Sequence, residues 1–181
     1  MKKIILTALV AASSLCASAQ VWLGGSVGFS SHKVDGADKS TTTFTIAPTI
    51  GYTLDENWDI ALEVGYSDKS YDGLGTSTFA IAPFARYNFA KCGIATFFID
   101  GGFGFSKVSN TTMDDFGNKE TTDKNLFNIG IRPGVKVELS PKVELDAKLG
   151  YLGYTQVKDT YSEFGFAANG EALSFGLTFK F

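Results

Sequence analysis

Nine charged side chains lie inside otherwise apolar segments of this 181-residue chain, each at a position that alternates with large apolar residues. Five are acids and four are bases: Glu63, Asp100, Glu138, Glu144 and Asp146; Arg86, Arg132, Lys136 and Lys148. An alternation with period two separates the two faces of a β-strand, so the charges share the face opposite the apolar residues. Because buried charges must be paired, the pattern predicts an internal salt-bridge network.

The spacing within the strands predicts how this network is arranged. Counted from the strand ends, Asp100 and Arg132 lie near one level, and Arg86 lies lower, nearer Glu144 or Asp146. An arginine can bridge two carboxylates with its fixed fork of donors. We therefore expect the loss of Arg132 to leave a buried charge without a partner, which typically costs ~3–5 kcal/mol.

A reaction centre has little support in the sequence. The only histidine, His32, lies beside Ser30 and Ser31, and a serine activated by histidine is a hydrolase arrangement. A loop histidine flanked by serines is nevertheless ordinarily solvated surface. The acids of a later polar segment lack the spaced oxygen ligands and the glycine of a calcium loop: Asp114, Asp115, Glu120 and Asp123. We expect no catalytic, cofactor or metal site.

Eight alternating segments position the charged residues. They cover residues 21–30, 43–54, 58–67, 78–89, 94–106, 125–139, 143–154 and 173–181. Short connections at 55–57, 90–93 and 140–142 alternate with long ones at 31–42, 68–77, 107–124 and 155–170. The strands approach or exceed the ~9–11 residues that a tilted membrane strand needs. The alternation is typical of transmembrane barrels, in which short turns and both termini are periplasmic.

The apolar face is expected to point outward. The interior of an eight-stranded barrel is only wide enough for side chains to fill it, and six or so bulky residues from each strand would overfill it. Small residues share the charged face instead, including Gly24, Gly28, Gly51, Gly65, Gly102, Gly104, Gly130, Gly134, Gly150 and Gly176. A soluble secreted barrel with the apolar face inward is the alternative, and it would leave these small residues facing water.

Prolines occur at equivalent places on three strands that run in the same direction. Pro48, Pro83 and Pro133 each lie six residues before a strand end. Proline removes a ladder hydrogen bond, and a closed barrel has no edge strand on which to place it. We expect a local bulge or a water molecule at this level.

The last nine residues alternate without exception and end the chain on an aromatic residue: Leu173, Phe175, Leu177, Phe179 and Phe181 are its apolar members. This segment resembles the C-terminal signal strand of bacterial outer-membrane β-barrels, which the barrel-assembly machinery reads. The whole mature chain resembles the small porin-like outer-membrane β-barrel family of the OmpA/OmpX transmembrane type. The resemblance implies an all-β, eight-stranded, antiparallel up-and-down transmembrane barrel.

The N-terminus predicts export. Lys2 and Lys3 precede an apolar run at 4–12 and a small-x-small site that ends at Ala19. We therefore expect a signal peptide at 1–19, cleavage between Ala19 and Gln20, and a barrel domain at 20–181. Cleavage removes two of 16 basic residues and leaves 14 against 19 acidic ones, a net charge near −5. This charge argues against nucleic acid as a partner.

Three functions are compatible with this pattern. The first is a structural or surface-interaction protein of the outer membrane, whose loops face outward and whose bore is filled by charged residues. A small passive channel is the alternative, and a lipid-modifying enzyme built on His32 is the third. The expected partners are outer-membrane lipids, the assembly machinery and an extracellular ligand or host surface, and the expected state is a monomer.

Overall fold

A computed structural model describes residues 21–32, 40–71, 74–113, 119–158, 160–167 and 173–181, except for the side chains at 30, 32, 167 and 173. Ten strands follow one another: β1 (Val21–His32), β2 (Thr41–Thr53), β3 (Trp58–Tyr71), β4 (Leu74–Cys92), β5 (Ala95–Met113), β6 (Lys119–Ser140), β7 (Val143–Leu149), β8 (Tyr151–Val157), β9 (Tyr161–Ala167) and β10 (Leu173–Lys180). In this described part, no helix has the length and apolar character to cross a membrane.

Eight of these strands form a closed antiparallel wall. Strands β1 to β7 pair in chain order, β7 pairs with β10, and β10 pairs with β1 to complete the ring. The other two strands form a hairpin in which β8 continues along β6 and β9 pairs with β8. The prediction of an eight-stranded barrel is therefore confirmed. The end that carries the described chain termini is called the lower end below.

Most of the expected long loops are strand. The β3–β4 ladder continues to Tyr71 and Leu74, and the β5–β6 ladder continues to Met113 and Lys119. The predicted loops at 68–77, 107–124 and 155–170 are wrong in this respect. These segments are rich in threonine and serine, which suit strands, and side-chain pairs such as Thr111 with Thr121 at 3.2 Å join their ladders. Residues 33–39 of the first predicted loop lie outside the described part.

The three prolines interrupt the ladders at the expected level. The β2–β3 ladder omits the pair at Pro48 and the pair before it, and the β4–β5 ladder does the same at Pro83, without a change of register. At Pro133 the pairing of β6 passes from β7 to β8. The chain that joins β7 to β8 contains one additional residue there, near Gly150. Only Pro133 therefore has the expected bulge.

Gly150 changes which side chains face the bore. Its φ of 109° is in the region that favours glycine, and the extra residue reverses the alternation after Leu149. Tyr151 consequently lies against the bore, where it lines a cavity, although the alternation predicts it on the outward face. Its ring covers Gly130 and Gly153, where a Cβ atom would lie 2.6 and 2.5 Å from ring carbons.

The interior of the barrel is polar. Among the described residues, four large apolar side chains are buried, whereas eight polar or charged ones are buried. Many large apolar residues of the wall face outward and are more than a third exposed, up to 73% at Phe29. This inverted arrangement excludes the soluble barrel with an apolar interior and suits a wall surrounded by lipid.

Candidate functional site: the charged interior of the barrel

Arg86 is the centre of the interior network. It lies on β4 directly opposite Asp100 on β5, and the two groups form a fork: Nε lies 2.7 Å from Oδ1 and Nη2 lies 3.0 Å from Oδ2. Nη1 donates to Oδ1 of Asp146, on β7, at 3.3 Å. All three residues are buried, so one guanidinium ties three strands together across the bore.

Aromatic rings complete this layer. The Arg86 guanidinium carbon lies 3.7 Å from the centroid of the fully buried Phe98 ring and 5.8 Å from the rings of Trp22 and Phe84. Gly51 makes room for Trp22, because a Cβ atom there would lie 2.1 Å from the indole. The set of Arg86, Asp100, Asp146 and Phe98, called the plug below, places charge pairs and a cation–π contact in the barrel interior.

A second group of charges lies above the plug. Glu63 on β3 accepts from Lys148 at 3.0 Å and from Arg132 at 3.5 Å. The Lys148 ammonium also lies 3.8 Å from Asp100, which connects this group to the plug. The Arg132 side chain is 36% exposed, so it is the most open of these charges.

A third group lies below the plug. Asp59 accepts from Thr53 at 2.7 Å and from Asn88 at 3.2 Å, and Lys136 lies 3.8 Å away. Lys180 pairs with the buried Glu144 near the lower end. The interior charges are therefore arranged in three connected or adjacent layers rather than in a single cluster.

The structure places eight of the nine predicted residues in ion pairs between described residues, and Glu138 is the exception. It is exposed at the lower end. Asp59 and Lys180 belong to the network although the predicted set omits them. Both alternate with apolar residues, so their positions in the period-two alternation could have identified them as inward-facing. The same parity would also have identified the aromatic residues of the interior, Trp22, Phe84 and Phe98.

The final strand presents its apolar residues outward. Phe175, Leu177, Phe179 and Phe181 are between 43% and 57% exposed, and Leu173 begins β10. The backbone N–H of Phe181 donates to the Val21 carbonyl at 3.4 Å, which joins the two ends of the wall. The predicted cleavage residues, Ala19 and Gln20, lie outside the described residues.

The candidates for other chemistry are not brought together. The side chains of Ser30 and His32 lie outside the description, as do Asp114 and Asp115. Glu120 lies in β6, and Asp123 pairs with Lys107 at 2.7 Å. Within the residues described, no group of three or more His, Cys, Asp or Glu side chains is placed to hold a metal ion. Cys92 is exposed with a free thiol.

The chain matches the family model for "Outer membrane protein beta-barrel domain" over residues 4–181. Among solved structures, it is similar to Neisserial surface protein A (TM-score 0.55, 17% identity, 91% of this chain and 98% of that one). It is also similar to the outer membrane protein Ail of Yersinia pestis (TM-score 0.52, 12% identity, 90% and 99%). A search of curated protein sequences found no match. With its closed barrel and polar interior, this chain belongs to the outer-membrane β-barrel domain family, and its location is the outer membrane.

Proposed function

We propose that this protein is a non-enzymatic surface protein, which presents a rigid polar β-sheet outside the cell on a barrel with a closed bore. The supporting observation is the length of the β5–β6 hairpin. Above the outward-facing pair of Phe105 and Phe127, eight further residue pairs continue to Met113 and Lys119. At ~3.3 Å per residue, this extension reaches about 25 Å along the strands.

The extension is ordered by its own side chains. Asp123 accepts from Lys107 and from Ser109, each at 2.7 Å, and Thr76 on β4 donates to Asn110 on β5 at 2.7 Å. These contacts join three strands into one polar sheet. A preformed surface loses less conformational entropy on binding than a loop does, which suits a role in surface interaction.

The orientation of the barrel in the membrane follows from the lengths of the connections at its two ends. The short connections at 54–57, 93–94 and 141–142 lie at the lower end with the described termini. Since short turns of such barrels face the periplasm, both termini are periplasmic and the extension is external. In this proposal, residues 1–19 are removed as a signal peptide, the assembly machinery reads the final strand, and the mature barrel at 20–181 is a monomer.

The interior favours this function over the alternatives. The plug blocks the path that a passive channel would need. In the described interior, the buried carboxylates accept hydrogen bonds from bases, from the hydroxyls of Thr53 and Thr178 and from the amide of Asn88, which suits a structural role. An enzyme built on His32 gains no support from the residues around the bore.

Cysteine labelling of intact cells tests the orientation. Cys92 is the last residue of β4, at the lower end, and is the only cysteine expected in the mature chain. A membrane-impermeant maleimide should label Thr111→Cys in a Cys92→Ser background, and it should reach native Cys92 only after lysis. Labelling of Cys92 but not of residue 111 on intact cells would overturn the proposal.

Truncation of the hairpin tests the interaction. Residues 108–124 are replaced by an Asn-Gly turn, which leaves the membrane part of β5 and β6 intact. We expect cells with this variant to adhere less to a host-cell monolayer than cells with the wild type, at equal amounts of heat-modifiable barrel. Equal adhesion would contradict a role of the extension in surface interaction.

A further inference from the structure

The seam between β1 and β10 is open above its lowest pairs. The two strands pair from Trp22 with Lys180 to Gly25 with Leu177. In the same register four further pairs of described residues would form, and none does: Ser26 with Gly176, Val27 with Phe175, Gly28 with Ser174, and Phe29 with Leu173. On their other sides, β1 stays paired to β2 and β10 stays paired to β7 over these residues. The opening, called the slot below, is thus confined to one seam.

Side-chain exposure reports the same opening. Val27 and Phe29 are 71% and 73% exposed, whereas their partners on β2, Ile46 and Phe44, are 39% and 42% exposed. Among the described residues, β10 places no backbone partner beside Val27 or Phe29. Phe175 lies six residues above Phe181, which is ~15 Å up the barrel at ~3.3 Å per residue and a tilt of about 40°. The slot therefore lies within the ~25 Å apolar band.

A polar cavity of about 220 Å³ lies directly behind the slot. Ser26 lines it from the β1 edge and Ser174 from the β10 edge, and Arg86 of the plug lies below. Unpaired backbone is tolerated at membrane depth where it lines a polar, hydrated space. The cavity thus provides the environment that the two open strand edges require.

The far wall of this cavity carries two bases, Arg132 and Lys148, in a connected set of three bases and three acids. Arg132 and Lys148 share a single carboxylate, Glu63, with the Arg132 contact at 3.5 Å. Lys148 also approaches Asp100, but both oxygens of that group are already held by Arg86. A guanidinium carries five N–H donors, and Arg132 has one described carboxylate contact. The Arg132 guanidinium therefore has donors left for a further anion in the cavity.

We propose that the slot binds a long-chain fatty acid. The carboxylate lies in the cavity on Arg132, and the acyl chain passes between Val27 and Phe175 into the bilayer. A carboxylate matches the planar fork of a guanidinium. One chain fits better than two, because the slot narrows to hydrogen-bonded backbone at Gly25 and Leu177. The plug closes the bore below, so the ligand binds without passing through.

The fluorescence of Trp22 provides a direct probe of ligand binding, since Trp22 lines the same cavity. The chain has two tryptophans, and Trp58→Phe leaves Trp22 as the only emitter. In nanodiscs of neutral phosphatidylcholine, α-bromopalmitate should quench Trp22 saturably. Arg132→Gln should raise the half-quenching concentration about tenfold, as expected for the loss of one charge-assisted contact. The methyl ester of the same acid should quench weakly.

Matched variants separate binding from misfolding. Ser174→Phe places a ring in the slot and should also weaken quenching, whereas Thr78→Phe, at an upper position on β4 away from this cavity, should not. Each variant is first shown to migrate as a heat-modifiable barrel. Absent quenching, equal quenching by the ester, or equal quenching by brominated phosphatidylcholine in place of the acid would each overturn the proposal.

Discussion

Asp100 and Arg132 face each other across the β5–β6 ladder, yet both oxygens of Asp100 are held by Arg86 from the opposite side. The forked contact from β4 thus occupies both oxygens of Asp100, which Lys148 also approaches at 3.8 Å, and Arg132 reaches Glu63 instead. This geometry predicts that Arg86 contributes more to the stability of the barrel than Arg132 does. Arg86 is buried with two carboxylates that depend on it, whereas Arg132 is peripheral and partly open.

The first prediction follows from this ranking. Arg86→Ala should lower the free energy of unfolding by about 3–5 kcal/mol, because Asp100 and Asp146 would remain buried without their partner. Arg132→Ala should have a clearly smaller effect, contrary to the expectation from sequence alone. Urea unfolding in lipid vesicles, followed by gel migration, measures both. Lys107→Ala is the control, since an exposed pair contributes ~0–1 kcal/mol; equal losses at 86 and 132 would refute the ranking.

The second prediction concerns the bulge at Gly150. Gly150→Ala should destabilise the barrel by more than about 1 kcal/mol, because its φ of 109° disfavours a side chain. Gly65→Ala is the matched control within the wall, where the nearest atom to a new Cβ is 3.6 Å away. Unfolding midpoints of the two variants should therefore differ. Identical midpoints would show that the wall tolerates a side chain at the bulge.

The third prediction concerns pH at the external extension. The hydrogen bond from Lys107 and that from Ser109 lower the pKa of the Asp123 carboxyl. Because the folded pKa is depressed, the stabilisation is complete above the unfolded value of ~3.9 and is lost as pH falls through the folded value. The Ser109 and Asp123 NMR signals should titrate below pH ~3.9. The Asp123→Asn protein should lack this transition, and a titration midpoint above that of free aspartate would contradict the assignment.

The fourth prediction concerns assembly. Deletion of Phe181 removes the terminal aromatic residue and its backbone contact with Val21. The amount of heat-modifiable barrel in the outer membrane should fall while export continues, as judged by removal of the signal peptide. Lys91→Ala, at an exposed position near the lower end of β4, should be tolerated. An unchanged amount of folded barrel without Phe181 would count against a signal role for the final strand.

The strand number and the two faces could be predicted from the sequence because period two persists through residues such as Phe175, Leu177 and Phe179. Parity fails at Tyr151, since one extra residue at Gly150 reverses every later side chain in that strand. Composition does not distinguish the hairpin extensions from loops, because Thr and Ser are common in both loops and strands. Alternation shows which charges face inward, but it does not show that Arg86 takes both oxygens of Asp100, since pairing across a bore depends on register and side-chain reach.

The most direct test of the closed bore is the single-channel conductance of the purified, refolded barrel in planar bilayers. In the proposed closed bore Arg86 holds Asp146 and lies against Phe98. We therefore expect no discrete steps from the wild type in concentrated KCl and measurable ones from Arg86→Ala. The Lys107→Ala protein should remain as silent as the wild type. Regular, reproducible steps from the wild-type barrel would contradict the closed bore and establish the passive channel instead.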